Sequence, residues 1–451
     1  MSITIVQKSD LNIRKKNAKF GLVLAGGAIS GAAYKLGGLK ALSDLMVNHD
    51  ITDFDLFVGL SAGALIAAPL ATGVSPEEML KSLDGKSSKL SQFTPFDFYN
   101  PNFSEFIQKP LQLVFDTSTT LPRFSINFLS MLFAPDRHFF KTLRQAMGSP
   151  KYRNIDLLLK LLVKIAAASK SLPKWADYVP SGIFDNSKIE AYIRRNLERN
   201  HLKNDFHDLY QRRRKELYIT ATNLDSGEVV VFGHDEFNDV SISESIQGST
   251  ALPGFYKPAR IKGVDYVDGG VAATANIDVA INHGADLIIC YNPFRPLKNE
   301  LLVHWYKDID QYITDKPHLA AGGMVAVINQ VFRMLLHHRL HQAMQTYASD
   351  PNFMGDILLI EPDVNDVQYF AMNPVNFWQR GRAAERGFLS VKQSLEEQYP
   401  LIKKILNSYG VETSMIYIDE DAKKIQASPY DEAIVGVLGK ERIKRDIRLV
   451  M

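Results

Sequence analysis

Cysteine is almost absent from this sequence: Cys290 is the only one in 451 residues. A lone cysteine excludes an intramolecular disulfide and any thiolate-bound metal cluster. It lies in Asp286-Leu-Ile-Ile-Cys-Tyr291, which reads as a buried strand, so it is assigned to the core. An excess of charge is lacking too. With 52 basic and 50 acidic side chains the net charge is +2, which argues against an acidic tail or a nucleic-acid-binding surface. The segment before Phe20 has no apolar signal core, and no stretch reads as an uncharged run long enough to cross a membrane. The expectation is a chain that stays in a reducing cytoplasm, with no nucleic-acid partner.

What is present is apolar: 46% of the residues are hydrophobic, enough for a large core in one elaborated domain or two. Basic clusters occur at Arg14-Lys15-Lys16, Arg194-Arg195 and Arg212-Arg213-Arg214-Lys215. Such clusters are usually solvated helix faces. The functional alternative is contact with anionic lipid headgroups, worth about 1 kcal/mol for each basic residue near the surface.

The stretch from Phe54 to Ile66 organises the chain. Phe54 to Val58 reads as a strand, and a helix follows from Ala64. Between them Gly59-Leu60-Ser61-Ala62-Gly63 has the pattern of a nucleophile elbow, a turn tight enough to project a serine hydroxyl above a sheet edge. Gly59 and Gly63 let strand and helix backbones come close. Upstream, Phe20 to Leu24 reads as a strand running into Ala25-Gly26-Gly27-Ala28-Ile29-Ser30-Gly31, after which Leu36, Leu39, Leu42 and Leu45 form a helical stripe. A glycine loop opening a helix binds anions. The dinucleotide pattern G-x-G-x-x-G is not met, and Ala32-Ala33 replaces the lysine and hydroxyl of a nucleotide phosphate loop. The remaining candidate is a transient oxyanion on an acyl group, met by donors at the helix N-terminus beside the serine.

Strand, loop, helix and strand make a parallel βαβ unit and hence α/β architecture. From Thr94 to Pro180 this rhythm stops, and Ile155 to Ala168 reads as an apolar helix, either packed on the core or serving as a lid or lipid contact with Lys160 and Lys164 at headgroup level. Order returns with strands at Glu216–Thr222, Glu228–Phe232, Val264–Asp268, Asp286–Tyr291 and Asp356–Glu361, while Leu301–Tyr347 and Pro374–Glu397 read as mainly helical. The expected division is an α/β domain over 18–410, a helical insert over 94–180 and a C-terminal extension over 411–451.

Ser61 needs a base. None of the eleven histidines falls in a glycine-bounded loop after a strand, and His283, His337, His338 and His341 read as surface or capping residues. Asp268 is better placed, at a strand end in an Asp-Gly-Gly turn with Gly269 and Gly270, where a doubly wound sheet collects functional groups. Desolvation would raise its pKa from about 3.9 toward a useful value. A plain Asp-Gly turn is the alternative.

Together these residues resemble the patatin-like phospholipases: the glycine loop at Gly26–Gly31, G-L-S-A-G at Gly59–Gly63 and D-G-G at Asp268–Gly270, in that order. The resemblance extends over Leu217–Glu228, Ser249–Phe255 and Gly284–Ile289, covering roughly Phe20 to Pro296. It implies a three-layer α/β sandwich with a mostly parallel central sheet. It also implies a Ser61–Asp268 dyad, with backbone N–H groups at Gly26, Gly27 and Ala28 holding the oxyanion, acting through an acyl-serine intermediate on phospholipids or other fatty-acyl esters, at a peripheral membrane surface, with no metal or other cofactor. Acyl transfer to another acceptor and non-catalytic lipid binding are the alternatives. Two positions depart from the family's G-G-G-x-[K/R]-G loop: Ala28 stands for the third glycine and Ser30 for the basic residue, with Lys35, a turn into the helix, as candidate substitute.

Overall fold

The computed structural model describes residues 3–132, 144, 148, 156, 160, 175–306, 311–428 and 431–441. All but two positions of the expected apolar helix over Ile155–Ala168 lie outside these residues. A nine-stranded sheet carries the fold, built from β1 (Ile3–Gln7), β2 (Phe20–Leu24), β3 (Leu56–Leu60), β4 (Glu216–Asn223), β5 (Val229–Phe232), β6 (Ala259–Ile261), β7 (Val264–Asp268), β8 (Leu287–Tyr291) and β9 (Asp356–Ile360). The strand order is β1-β9-β8-β2-β3-β4-β7-β6, with β5 also paired to β4. The run β9-β8-β2-β3-β4 is parallel, whereas β1, β5, β7 and β6 pair antiparallel. The parallel strands are continuous apolar runs such as FGLVL, LFVGL and LIICY, which suits strands covered on both faces. Successive residues of β8 show the two layers. Cys290 packs with Ile277, Leu340 and Met344 on one side, and Tyr291 meets Tyr34 edge-on on the other. The α/β expectation therefore holds, with helices against both faces.

Helix α1 (Ala28–Leu45) follows β2 and crosses α4 (Arg380–Ser408) at very short range. A Cβ at Gly37 would sit 1.8 Å from the Ala384 carbonyl oxygen, and one at Gly387 would sit 1.8 Å from the Tyr34 carbonyl oxygen. The two glycines are reciprocal, each helix resting on the other's backbone. Gly37→Ala is therefore expected to destabilise the fold by about 3 kcal/mol, read as a lower urea midpoint, since neither backbone can move without disturbing the core. The leucine stripe of α1 is real but not one-sided: Lys35, Lys40 and Asp44 are buried as well, with the Lys40 ammonium bonded to Asp44 and 3.5 Å from Glu77.

Several boundaries differ from the sequence reading. β3 starts at Leu56, not Phe54, and α1 starts at Ala28, so Ile29, Ser30 and Gly31 are helical. Leu301–Tyr347 is mainly helical, as expected, but only from Leu319 onward. Val303–Tyr306 and Gln311–Thr314 form an antiparallel hairpin, as their β-branched and aromatic residues favour, and helix α3 runs over Gly323–Ser349. Leu319–Ser349 is long and apolar enough to cross a membrane by length and composition, although Arg333 and Arg339 keep it from being an uncharged run.

The chain divides into two compact units, residues 1–100 with 185–451, and residues 101–184. β1 puts the N-terminus inside the larger unit, which the expected start at 18 left out. The segment after 410 belongs to it too, through Val47 N–H to the Glu412 carbonyl at 2.9 Å and helices Ile416–Gln426 and Asp431–Leu438. In the smaller unit a long helix, Phe103–Leu132, leaves Phe103, Phe106, Ile107, Leu111 and Val114 exposed along one stripe.

Candidate active site

β3 ends at Leu60 and the chain turns at once into helix α2 (Ala64–Ala71). The turn forces Ser61 to φ 53°, a left-handed conformation that costs a non-glycine residue about 1–2 kcal/mol. Two contacts hold it. The Ser61 N–H donates to the Ser249 hydroxyl at 2.8 Å, and Gly63 lies so close to the end of β2 that a Cβ there would be 2.0 Å from the Leu24 carbonyl oxygen. Ser249 is fully buried at the end of the helix Ile242–Ser249. Gly59, in β3 itself, faces Ala64 and Ala67 of α2.

Sheet register brings Asp268 to the serine. Leu60 pairs with Thr220 of the parallel neighbour β4, and Ala221, one residue on, pairs with Asp268 of β7. Ser61 and Asp268 thus stand at one level with β4 between them. Asp268 does end a strand, as expected, but β7 is antiparallel to β4, and it reaches the same edge because it enters the sheet there and breaks off at once. Gly269 continues over Leu60 and Thr220, where a Cβ would meet the Leu60 side chain at 2.4 Å. The Ser61 side chain acts on the Asp268 carboxylate to favour its charged form, and the Gly270 N–H donates to Asp268 Oδ1 at 2.8 Å. Burial pushes the Asp268 pKa up to about 6, against the Ser61 side chain, the Gly270 hydrogen bond and the Lys35 charge. A buried carboxylate tuned toward neutrality and set beside a strained serine can take that serine's proton.

The loop beyond β2 closes the site. Gly26 lies beside the serine, since a Cβ built there would be 3.3 Å from Ser61 Cβ. Gly27 caps α1 at φ 149°, and Ala28 opens the helix at φ 49°. Among the described residues the N–H groups of Gly26, Gly27 and Ala28 have no hydrogen-bond partner. Lys35 explains their direction. Its ammonium, wholly buried, bonds the Ala25 carbonyl and the Gly26 carbonyl, the latter at 3.0 Å. In a trans peptide the N–H points opposite to the C=O, so Lys35 turns the N–H groups of Gly26 and Gly27 away from itself. Burial lowers its pKa to about 7, with Asp268 pulling the other way. Lys35 therefore does not stand in for the basic residue as a contact for substrate charge. Ser30 does not either: it is buried in α1 with its N–H on the Pro374 carbonyl.

The structure thus brings together Gly26, Gly27, Ala28, Gly59, Ser61, Gly63, Asp268, Gly269 and Gly270. Sequence reasoning missed Ser249 as the elbow's support and Lys35 as the loop's anchor. Ser249 opens a stretch already noted for its resemblance, whereas nothing in the sequence signals that Lys35 points inward.

The model of the patatin-like phospholipase family matches residues 22–281, more than half of the 451-residue chain. Among solved structures, the crystal structure of VipD from Legionella pneumophila aligns over 99% of this chain and 96% of its own, at 14% identity and a TM-score of 0.30. At that score the likeness carries no argument about this chain.

Proposed function

The chain belongs to the patatin-like phospholipase family, whose members act on lipid ester substrates, and from that premise we propose that it hydrolyses fatty-acyl esters of phospholipids or lysophospholipids through an acyl-Ser61 intermediate. The observation that carries this reading is the buried Asp268 carboxylate set at the level of the strained Ser61, whose side chain favours the charged form of that carboxylate. Asp268 takes the hydroxyl proton as Ser61 Oγ bonds to the ester carbonyl carbon. The oxyanion is met by N–H groups of Gly26, Gly27 and Ala28. Its collapse breaks the ester C–O bond, and Asp268 returns the proton to the departing alkoxide. Water, deprotonated by Asp268, then repeats the attack and frees the fatty acid and Ser61. A fluorophosphonate probe and a panel of phospholipids, given to the parent and to Ser61→Ala, test it. Labelling and hydrolysis that survive loss of the hydroxyl would overturn it, and added alcohol captured as a new ester would redirect it to acyl transfer.

The reading includes work at a membrane surface from the cytoplasmic side. Its support is the outward face of α3, where Met324, Val325, Ile328, Phe332 and Leu335 recur every three or four residues, with Met324 75% and Phe332 58% exposed. The second half of α3 packs Leu340 and Met344 into the core, so the helix lies along the protein. The hairpin that precedes it in the chain exposes Trp305 and Tyr312, in contact at 4.5 Å between ring centroids. Replacing both Val325 and Phe332 with aspartate is expected to lower the fraction sedimenting with anionic vesicles at least about tenfold, because each side chain loses its apolar burial. Unchanged sedimentation would place the contact elsewhere.

A further inference from the structure

Three side chains that the acyl chemistry does not use converge at the far end of the sheet. We propose that His337, His341 and Glu361 bind one divalent transition-metal cation, with zinc the best chemical match, and that this ion fastens α3 to the carboxyl edge of the sheet. The histidines had read as solvated or capping residues. Instead both turn inward from α3, one helical turn apart, with ring centroids 4.1 Å apart. Glu361, the residue after β9, is almost fully buried and receives both of them: His337 Nδ1 lies 3.1 Å from Oε1 and His341 Nε2 lies 2.8 Å from Oε2. One ligand atom from each of the three falls within 4.8 Å of the others.

These distances fit a metal. With zinc bonds of about 2.0–2.2 Å to nitrogen and oxygen, neighbouring ligand atoms of a tetrahedral centre stand about 3.3 Å apart, so the two histidine–carboxylate contacts need change by only a few tenths of an ångström, while the widest spacing in the set, up to 4.8 Å, must close by rotation of the side chains. Two imidazoles and one carboxylate suit zinc, cobalt or nickel, whereas magnesium and calcium require an oxygen cage. The outer shell is in place as well. Asn292, the residue after β8, donates Nδ2–H to Glu361 Oε1 at 2.9 Å, the kind of support that orients a ligating carboxylate. In the strand order β9 is separated from β3 by β8 and β2, three strand spacings or roughly 14 Å. The ion therefore does not touch the ester bound at Ser61. Its effect is on α3, the helix whose other half presents the exposed apolar face. A metal-free cluster, with both imidazoles donating to the carboxylate, is the competing account of the same geometry.

The test uses the full chain, stripped with a chelator, dialysed against Zn²⁺ and then against metal-free buffer, with bound zinc measured by mass spectrometry. The parent is expected to keep about one zinc per chain and to melt at a higher temperature with zinc than without. His341→Ala and Glu361→Gln should each lose the ion and the shift, while Asn292→Ala binds about 10–100-fold more weakly. His338→Ala, on the same helix but bonded to the Met334 carbonyl, should behave as the parent. Cobalt in place of zinc should give the parent the intense visible bands of a tetrahedral centre, a signature that loss of fold in a variant cannot mimic. A parent that retains no zinc, or a His341→Ala chain that retains as much as the parent, would overturn the proposal in favour of the hydrogen-bonded cluster. Ser61→Ala should bind zinc normally, so the metal site and the hydrolase reading can fail separately.

Discussion

An Asp268→Asn chain is expected to hydrolyse phospholipid esters a hundredfold to ten-thousandfold more slowly than the parent, roughly the contribution of a positioned general base. The substitution is close to isosteric. An asparagine oxygen can still accept from the Gly270 N–H that Asp268 Oδ1 accepts at 2.8 Å, and its amide can still meet the Ser61 hydroxyl. The fold and the elbow should therefore survive, which a matching thermal melt would verify. What is lost is the capacity to take a proton, so Ser61 must attack as a neutral hydroxyl, and fluorophosphonate labelling should slow in parallel with lipid turnover. Since the base acts in both acylation and deacylation, no acyl-enzyme should accumulate. A rate near that of the parent would mean that the base lies elsewhere. Slow turnover with normal labelling would instead confine Asp268 to the second half of the cycle.

Much of this site could be read from the sequence because its parts are local. An elbow is a strand, five residues and a helix, and it carries its own glycines. Gly59 and Gly63 are needed because α2 and the end of β2 come within contact of their Cα atoms, and that need is written at the turn itself. Asp268 could be found because its Asp-Gly-Gly turn is also local, whereas the direction of its strand is not. Whether β7 runs parallel or antiparallel depends on pairing with β4, some forty residues upstream, and no local pattern encodes it. The same limit explains Lys35, His337, His341 and Glu361. A lysine in a helix reads as solvated unless α4 is known to cover that helix, and α4 covers α1 through Gly37 and Gly387, about 350 residues apart. The hairpin within 303–314 was lost for a different reason: two four-residue strands are too short for their alternation to stand out beside a long helix.

Lys35 gives the second large effect. Lys35→Met keeps the length of the side chain but removes the donors to the Ala25 and Gly26 carbonyls and the charge near Asp268. Two buried carbonyls without partners release the loop, each at a cost of about 1–3 kcal/mol, and the N–H groups of Gly26 and Gly27 lose their fixed direction. Oxyanion donors matter more in the transition state than in the ground state, so kcat should fall about a hundredfold or more while KM changes little. The pH profile separates this role from simple stabilisation. With Asp268 at about 6, the parent's kcat/KM should rise through that pH as the carboxyl ionises and then level off. The Lys35 charge lowers the Asp268 pKa, so its removal should move the rising limb to higher pH. Stability runs the other way. A carboxyl whose pKa is raised on folding contributes stability that is full below about pH 4 and lost as pH rises through about 6, a slope that Asp268→Asn should abolish. A lysine that only filled space would, when replaced, lower the melting temperature and leave the activity limb at about 6. Movement of the limb would tie Lys35 to the ionisation of the base as well as to the direction of the donors.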